Sequence, residues 1–185
     1  LNEGAGSLTV RSKVWADIVV SSMEKNKLFN ETQESGFRPG IDDWEFPNEG
    51  SYIAPRGHCA GQSLTAMWYY SIHKLSLNEP PLFDRFSTVT SPIWQDNING
   101  YRFASAVQVD YSDHLLSKSF FKNEFNKQGP KNLISFDSLQ YLGFAYSIRL
   151  SKKPQYVSIR NNAGDGHAMI VYRTNLNALS VADPN

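Results

Sequence analysis

Residues 57–75 read GHCAGQSLTAMWYYSIHKL, and the rest of the chain is organised around this stretch. It holds Cys59, the single cysteine of the sequence, directly after Pro55 and Gly57, two residue types that interrupt regular structure. One helical face would then carry Leu64, Met67, Trp68, Ser71, Ile72 and Leu75. The spacing predicts an amphipathic helix whose first turn holds Cys59 and whose apolar stripe faces the core.

The position of the thiol at a helix start suggests a chemical role. The first N–H groups of a helix have no partner inside the helix, and the positive end of the helix dipole favours a thiolate over a thiol. A thiolate is a nucleophile, whereas an isolated cysteine is otherwise most often a buried and inert core residue. Cys59 is therefore a candidate nucleophile, with a structural cysteine as the alternative.

The composition excludes several classes of protein. The chain has 185 residues, 41% of them hydrophobic and 13% aromatic, which predicts one globular domain over residues 1–185. Eighteen basic residues balance eighteen acidic ones, so we expect neither nucleic acid nor an anionic membrane as partner. No apolar run approaches the roughly 18–20 residues of a membrane span. One cysteine excludes an internal disulfide and a cysteine-rich zinc cluster, and we expect no metal and no cofactor.

The predicted elements place helices before strands. Helices are expected over residues 8–25, from Cys59 to a stop at residues 78–81, and over residues 111–127 and 137–149. Residues 26–48 are expected to be irregular and anchored by aromatic side chains (Phe37, Trp44 and Phe46), and residues 98–101 to form a turn. Strands are expected over residues 155–160, 166–173 and 179–183. This order predicts an α+β fold in which N-terminal helices pack against a C-terminal antiparallel sheet.

Strand geometry predicts that Asp183 and Asn185 are possible partners of His167. If a three-residue loop, 175–177, joins the last two strands, residues of equal parity share a face, and His167 lies opposite Asn185 and diagonal to Asp183. Diagonal neighbours are roughly 7–8 Å apart by backbone, within reach of an imidazole and a carboxylate. The alternative is a structural histidine and an Asp-Pro strand end. A sheet edge beside Asp183 would normally continue, and the sequence leaves open whether residues follow Asn185.

These residues together resemble a known family. Cys59 at a helix start, Gly166-His167 opening a strand and Val181-Ala182-Asp183-Pro184 ending the next are similar to the papain-like cysteine peptidase superfamily. The closer likeness is to its bacterial branch related to double-glycine leader peptidases, which residues 153–159 also resemble. The resemblance covers the Cys59 helix and residues 135–185. It implies a papain-like fold and a peptide or protein substrate, with Cys59 as nucleophile, His167 as general base and acid, and Asp183 as the orienting carboxylate.

One departure from the family concerns the oxyanion hole. Papain-like enzymes usually place a glutamine shortly before the cysteine, and the corresponding position, six residues before Cys59, is Ile53. Asn48 and Gln62 are the amides that could replace it. The loss of such a donor costs roughly 2.7–4 kcal/mol of transition-state stabilisation.

Three functions stay open at the level of sequence. The first is a cysteine peptidase or amide hydrolase that acts through a thioester. The second is a transglutaminase-like acyltransferase, and the third is a binding module that kept the fold and lost turnover. The compartment and the oligomeric state are not determined by the sequence.

Overall fold

The computed structural model describes residues 22–86, 97–113, 136–160 and 166–184. The helices in these ranges are α1 (Ser22–Asn30), α2 (Cys59–Tyr69), α3 (Leu82–Phe86), α4 (Ile98–Asp113) and α5 (Phe136–Ser151). The strands are β1 (Gln33–Glu34), β2 (Gln155–Arg160), β3 (Gly166–Asn175) and β4 (Ala178–Ala182). Helices combined with an antiparallel sheet confirm the predicted α+β class. None of these helices combines the length and the hydrophobicity that crossing a membrane requires.

Helix α2 begins at Cys59, as predicted. Beyond Tyr69 it continues as a π-helical turn (Tyr70–Lys74) and a last α-helical turn (Leu75–Leu77), and we refer to the whole as the Cys59 helix. It ends at Asn78, whose φ of 55° is left-handed, a conformation that asparagine tolerates at a helix end. The predicted end of the helix is therefore confirmed as well.

The prediction of the buried face of this helix was wrong. Trp68, Ile72 and Leu75 of the predicted apolar stripe are 47%, 43% and 47% exposed. The buried face is instead made of mostly small or polar residues and two tyrosines: Ala60, Gly61, Gln62, Ser63, Thr65, Ala66, Tyr69 and Tyr70. Small residues let α4 come close, since a Cβ atom on Gly61 would lie 1.8 Å from the carbonyl oxygen of Ala104. The dispersion attraction between closely packed backbones favours the small-residue face over the larger apolar one.

Strand β3 is the centre of the sheet. It pairs antiparallel with β1 and β2 along one edge and with β4 along the other. In this register Ile170 of β3 lies between Tyr156 of β2 and Ala182 of β4. The strands predicted over residues 155–160, 166–173 and 179–183 are present with small shifts at their ends.

The hairpin that joins β3 and β4 differs from the predicted one in its loop. Asn175 pairs with Ala178, so the turn holds two residues rather than three. These are Leu176 and Asn177, with φ values of 44° and 67°. Two successive positive φ angles are the requirement of a type I′ turn, whose twist matches that of the flanking strands.

A β-bulge compensates for the shorter turn. The register of β3 against β4 shifts between Val171 and Arg173, where β3 carries one extra residue. Beyond the bulge Ile170 pairs with Ala182, which is the register that a three-residue loop would have produced. The predicted pairing is therefore correct although the predicted loop was wrong.

Different helices cover the two faces of the sheet. Ile170 and Ala182 belong to a core cluster with residues of the Cys59 helix and α4, and the aromatic anchors Phe37, Trp44 and Phe46 belong to it as predicted. Leu179 of β4, which points to the other face, packs against a second cluster formed by α1 and α5 (Leu28, Tyr141, Leu142 and Ala145). The sheet therefore lies between two helical layers.

Two other predictions were wrong in part. Residues 26–30 belong to α1, so the irregular segment is shorter than predicted. Residues 98–101 are not a turn but the start of α4, because Oδ1 of Asn97 accepts a hydrogen bond from the N–H of Asn99 at 2.8 Å and caps the helix. Gly100 permits close packing there, since a Cβ atom would lie 2.5 Å from ring atoms of Trp44.

The remaining three helix predictions can be compared only where the structure describes the chain. The helix predicted over residues 137–149 is confirmed by α5. Those predicted over residues 8–25 and 111–127 fall largely outside the described ranges.

Candidate active site

The candidate nucleophile lies at the first position of the Cys59 helix. Its thiol is half-buried and free of any disulfide. The first bond within the helix runs from the N–H of Gln62 to the carbonyl of His58 at 2.8 Å. The N–H groups of Cys59, Ala60 and Gly61 therefore have no intrahelical partner. They form the positive end of the helix, which favours a thiolate there.

A buried histidine holds the loop that leads to Cys59. His58 is fully buried, and its ring packs against the rings of Phe46 and Tyr101. Its backbone N–H donates to Oδ1 of Asn48 at 2.7 Å, and its Nδ1 lies 3.3 Å from the same oxygen. Burial lowers the pKa of His58, which keeps the ring neutral. We infer that His58 has a structural role in fixing the start of the helix.

Both predicted oxyanion donors contact this histidine. Asn48 uses its amide oxygen on the backbone of His58 and so lies beside the loop before Cys59. Gln62 is only 2% exposed, and its Nε2 lies 3.4 Å from Nδ1 of His58. The Oε1 atom of Gln62 has no partner among the described residues. Gln62 is thus an interior residue, and a role of either amide in binding an oxyanion stays a prediction.

A third amide approaches the Cys59 helix from α4. The Oε1 atom of Gln108 accepts a hydrogen bond from the N–H of Gly61 at 3.0 Å, and its Nε2 donates to Oγ of Ser112 at 3.3 Å. Gln108 was not among the residues predicted from sequence, because no local pattern links residue 108 to residue 61. The one sequence signal was Gly61, a helical glycine that permits two helices to approach closely.

A tyrosine also lies near the thiol. Tyr156 of β2 lies close enough to Cys59 to interact with it electrostatically, and its ring meets that of Tyr111 edge-on, with centroids 5.8 Å apart. Burial raises the pKa of Tyr156, and Tyr111 and Cys59 raise it further. Its phenol therefore stays protonated and can act as a hydrogen-bond donor.

The predicted partners His167 and Asp183 are in contact. Nε2 of His167 lies 2.5 Å from Oδ1 of Asp183, and the two side chains are 25% and 39% exposed. Because Nε2 is occupied, Nδ1 is the nitrogen that could exchange a proton with another group. The catalytic roles of the two residues stay predictions.

The structure does not join His167 to the thiol. Within the described part of the chain, no hydrogen bond links Cys59 with His167. Alternation along β3 puts His167 on the same face as Val171, opposite the face of Ile170, which packs against the Cys59 helix. His167 is the second residue of β3, so its ring lies at the end of the sheet. A catalytic triad with Cys59 therefore requires the imidazole of His167 to reach around this end of the sheet.

A small cavity lies between the Cys59 helix and the end of β4. It is lined by Asp43, Trp44, Gln62, Ser63, Ile170, Ala182 and Pro184. Burial raises the pKa of Asp43 to about 8, and the neighbouring carboxyl of Glu45 raises it as well. The cavity is too small to be a substrate cleft. Over the described ranges, no three His, Cys, Asp or Glu side chains are grouped so as to hold a metal ion.

Comparison with known proteins adds no assignment. No protein-family model matches the sequence, and no curated protein and no solved structure matches it significantly. The resemblance to papain-like peptidases therefore depends on the residues quoted above.

Proposed function

We propose that this protein is a cysteine peptidase or a related amide hydrolase with Cys59 as its nucleophile. The observation that supports the proposal is the contact between His167 and Asp183 at 2.5 Å. In acyl-transfer enzymes such a carboxylate holds the imidazole in one tautomer and stabilises its charged form. The free thiol at a helix N-terminus is the second element that this chemistry needs.

In the proposed reaction, Nδ1 of His167 accepts the thiol proton while Sγ of Cys59 forms a bond to the substrate carbonyl carbon. The carbonyl oxygen becomes negative and is held by the backbone N–H of Cys59. The imidazolium then protonates the leaving amine, and the carbon–nitrogen bond breaks to leave a thioester on Cys59. Water, deprotonated by the same imidazole, releases the carboxylic acid and restores the thiol.

The proposed reaction requires the imidazole of His167 to come close to the thiol of Cys59. A general base must come within about 2.6–3.2 Å of the proton it removes, directly or through one water. Since His167 lies at the end of the sheet, its ring has to approach Cys59 around the start of β3. Catalytic hydrogen bonds often form only once the substrate is bound, so the proposal places this step in the substrate complex.

A binding module is the second candidate. The observation that favours it is that no hydrogen bond joins Cys59 and His167 within the described residues. A transglutaminase-like acyltransferase would share every step up to the thioester and then use an amine in place of water.

The three functions differ in the fate of the substrate acyl group. A hydrolase transfers it to water, an acyltransferase transfers it to an amine, and a binding module does not transfer it. Wild type, Cys59→Ser and His167→Ala would be incubated with a set of fluorogenic peptide amides, with and without a primary amine. For a hydrolase we expect turnover that is lost in Cys59→Ser and falls roughly 10²–10⁴-fold in His167→Ala. Products that carry the amine would indicate an acyltransferase. Alkylation of Cys59 by iodoacetamide without turnover of any amide would contradict the proposal and favour the binding module.

A further inference from the structure

Two buried polar atoms of the Cys59 helix have no partner among the described residues. They are Oε1 of Gln62 and Oγ of Ser63, although the two side chains are only 2% and 1% exposed. Buried polar groups are almost always hydrogen-bonded, because a group without a partner loses the bonds it makes to water in the unfolded chain. Both residues line the small cavity between this helix and the end of β4. The two atoms therefore need a partner that this cavity can hold.

Other buried hydroxyl groups in the neighbouring turns bond to the protein itself. Oγ1 of Thr65 donates to the carbonyl of Gly61 at 2.7 Å. Oγ of Ser105, in α4, donates to the carbonyl of Tyr101 at 2.8 Å. Both acceptors lie four residues earlier, which is a usual partner of a serine or threonine inside a helix. Ser63 makes no such bond within the described ranges, so its hydroxyl group remains available to a ligand in the cavity.

The rest of the lining supplies one more polar group and an apolar wall. The carboxyl group of Asp43 accepts a hydrogen bond from the N–H of Gly40 at 2.7 Å and has further lone pairs. The indole N–H of Trp44 is already used, since it donates to Oγ1 of Thr65 at 2.8 Å. The remaining wall comes from β3 and the end of β4: Ile170, Ala182 and Pro184. The cavity thus offers three polar side chains against an apolar surface.

The size and charge of the cavity limit what it can hold. The space open to the centre of a water molecule is about 10 Å³, close to what one water needs and far below the roughly 300 Å³ of an organic ligand site. Calcium would need about six to eight oxygen ligands. The pKa of Asp43, raised to about 8 chiefly by burial, leaves its carboxyl group mostly protonated at neutral pH, so the site is neutral. A neutral ligand of one heavy atom fits best.

We propose that Gln62, Ser63 and Asp43 bind one water molecule that is an integral part of the fold. The water donates to Oε1 of Gln62 and to a carboxyl oxygen of Asp43, and it accepts the hydroxyl hydrogen of Ser63. Three partners are the usual number for a buried water. The water connects the Cys59 helix with the loop of Asp43, next to the end of β4 that leads to Asp183. This water site is independent of the proposed peptidase chemistry.

Two measurements test the water site independently. A high-resolution crystal structure of the wild-type protein would show whether the cavity holds a water. Oxygen-17 magnetic relaxation dispersion would count the waters that stay bound while the protein tumbles, in wild type and in the double variant Gln62→Leu/Ser63→Ala. Ser105→Ala is the matched control, because Ser105 is also 1% exposed but bonds to a backbone carbonyl. The melting temperature of each variant would confirm that it is folded.

In the crystal we expect a water oxygen roughly 2.5–3.0 Å from Oε1 of Gln62, Oγ of Ser63 and a carboxyl oxygen of Asp43. The number of long-lived waters should fall by about one in the double variant, which leaves an almost apolar cavity that stays dry. It should be unchanged in Ser105→Ala.

Three results would overturn the water site. One is a cavity without electron density, in which the amide of Gln62 or the hydroxyl group of Ser63 has turned to a protein partner. Another is a density peak that gains anomalous signal when the crystal is soaked in rubidium chloride, which would identify a cation in place of water. The third is a count of long-lived waters that is the same in wild type and the double variant, or that falls equally in Ser105→Ala.

Discussion

Nε2 of His167 and Oδ1 of Asp183 lie 2.5 Å apart, although the residues are 16 positions apart in the chain. Two departures from ideal strand pairing produce this contact, a two-residue turn and a bulge of one residue in β3. Either one alone would shift the register by one residue and turn Asp183 to the other face of the sheet. The relationship between the two side chains thus depends on both irregularities.

Replacement of Asp183 by alanine should affect turnover far more than stability. The pair is partly exposed, and exposed ion pairs contribute about 0–1 kcal/mol, or a change in melting temperature of up to about 4 °C for a chain of this size. Loss of a correctly oriented general base should lower the turnover of peptide amides roughly 10²-fold or more. Asp84→Ala, at an exposed position in α3, is the control. A large loss of stability with normal turnover would contradict the prediction.

Gly61→Ala should destabilise the protein strongly. Its Cβ atom would lie 1.8 Å from the carbonyl oxygen and 2.8 Å from the carbonyl carbon of Ala104, so two helix backbones would have to separate. Overpacking of this kind costs about 1–3 kcal/mol or more. At Gly100 the nearest atoms, at 2.5 Å, belong to the side chain of Trp44 rather than to backbone, and the approach is less close than at Gly61. Gly100→Ala should therefore cost less in denaturant unfolding, and equal costs would argue against the close helix crossing.

The stability of the fold should fall as the pH rises towards 8. The pKa of Asp43 is raised from 3.8 to about 8, chiefly by burial and also by Glu45. Between these values the unfolded chain has lost the Asp43 proton that the folded protein retains, so rising pH favours unfolding. The stabilising contribution is complete below about pH 4 and is lost progressively up to about pH 8.

Replacement of Asp43 by asparagine tests the assignment. The decrease in melting temperature between pH 5 and 8 should be smaller in Asp43→Asn than in wild type, because the carboxyl group that titrates is gone. The exposed Asp84→Asn variant should behave like wild type. Identical pH profiles for wild type and Asp43→Asn would show that Asp43 titrates normally.

A substitution of Ile72 tests which face of the Cys59 helix is buried, with the buried Ile148 of α5 as the reference. Ile72, in the predicted stripe, is 43% exposed, whereas Ile148 of α5 is fully buried. Truncation of a buried isoleucine to alanine costs about 2–5 kcal/mol, and we expect such a loss for Ile148→Ala. Ile72→Ala should cost about 1 kcal/mol or less, since much of its side chain is already in water. Similar costs in denaturant unfolding would mean that the stripe does face the core.

Much of the fold could be predicted because its signals are local. Breakers at Pro55 and Gly57 and helical spacing after them mark the start of the Cys59 helix, and Asn78 with the prolines behind it marks the end. β-Branched and aromatic residues mark β2 and β3 in the same way, and a short, mostly apolar segment marks β4. The part of the candidate site that follows from such signals is a thiol at a helix start and a histidine at a strand start.

Only the tertiary structure decided how these parts meet. By itself, the sequence determined roughly where the Cys59 helix, α5 and strands β2 to β4 begin and end, because capping, breakers and periodicity act over a few residues. It did not determine that small residues rather than Trp68 and Ile72 face the core, because that choice depends on how closely α4 can pack at Gly61. Nor could it place Gln108 against the first turn of the Cys59 helix, since that contact joins residues 47 positions apart through a helix crossing. The side of the sheet that His167 faces was likewise set by strand register and helix packing, which depend on the whole core.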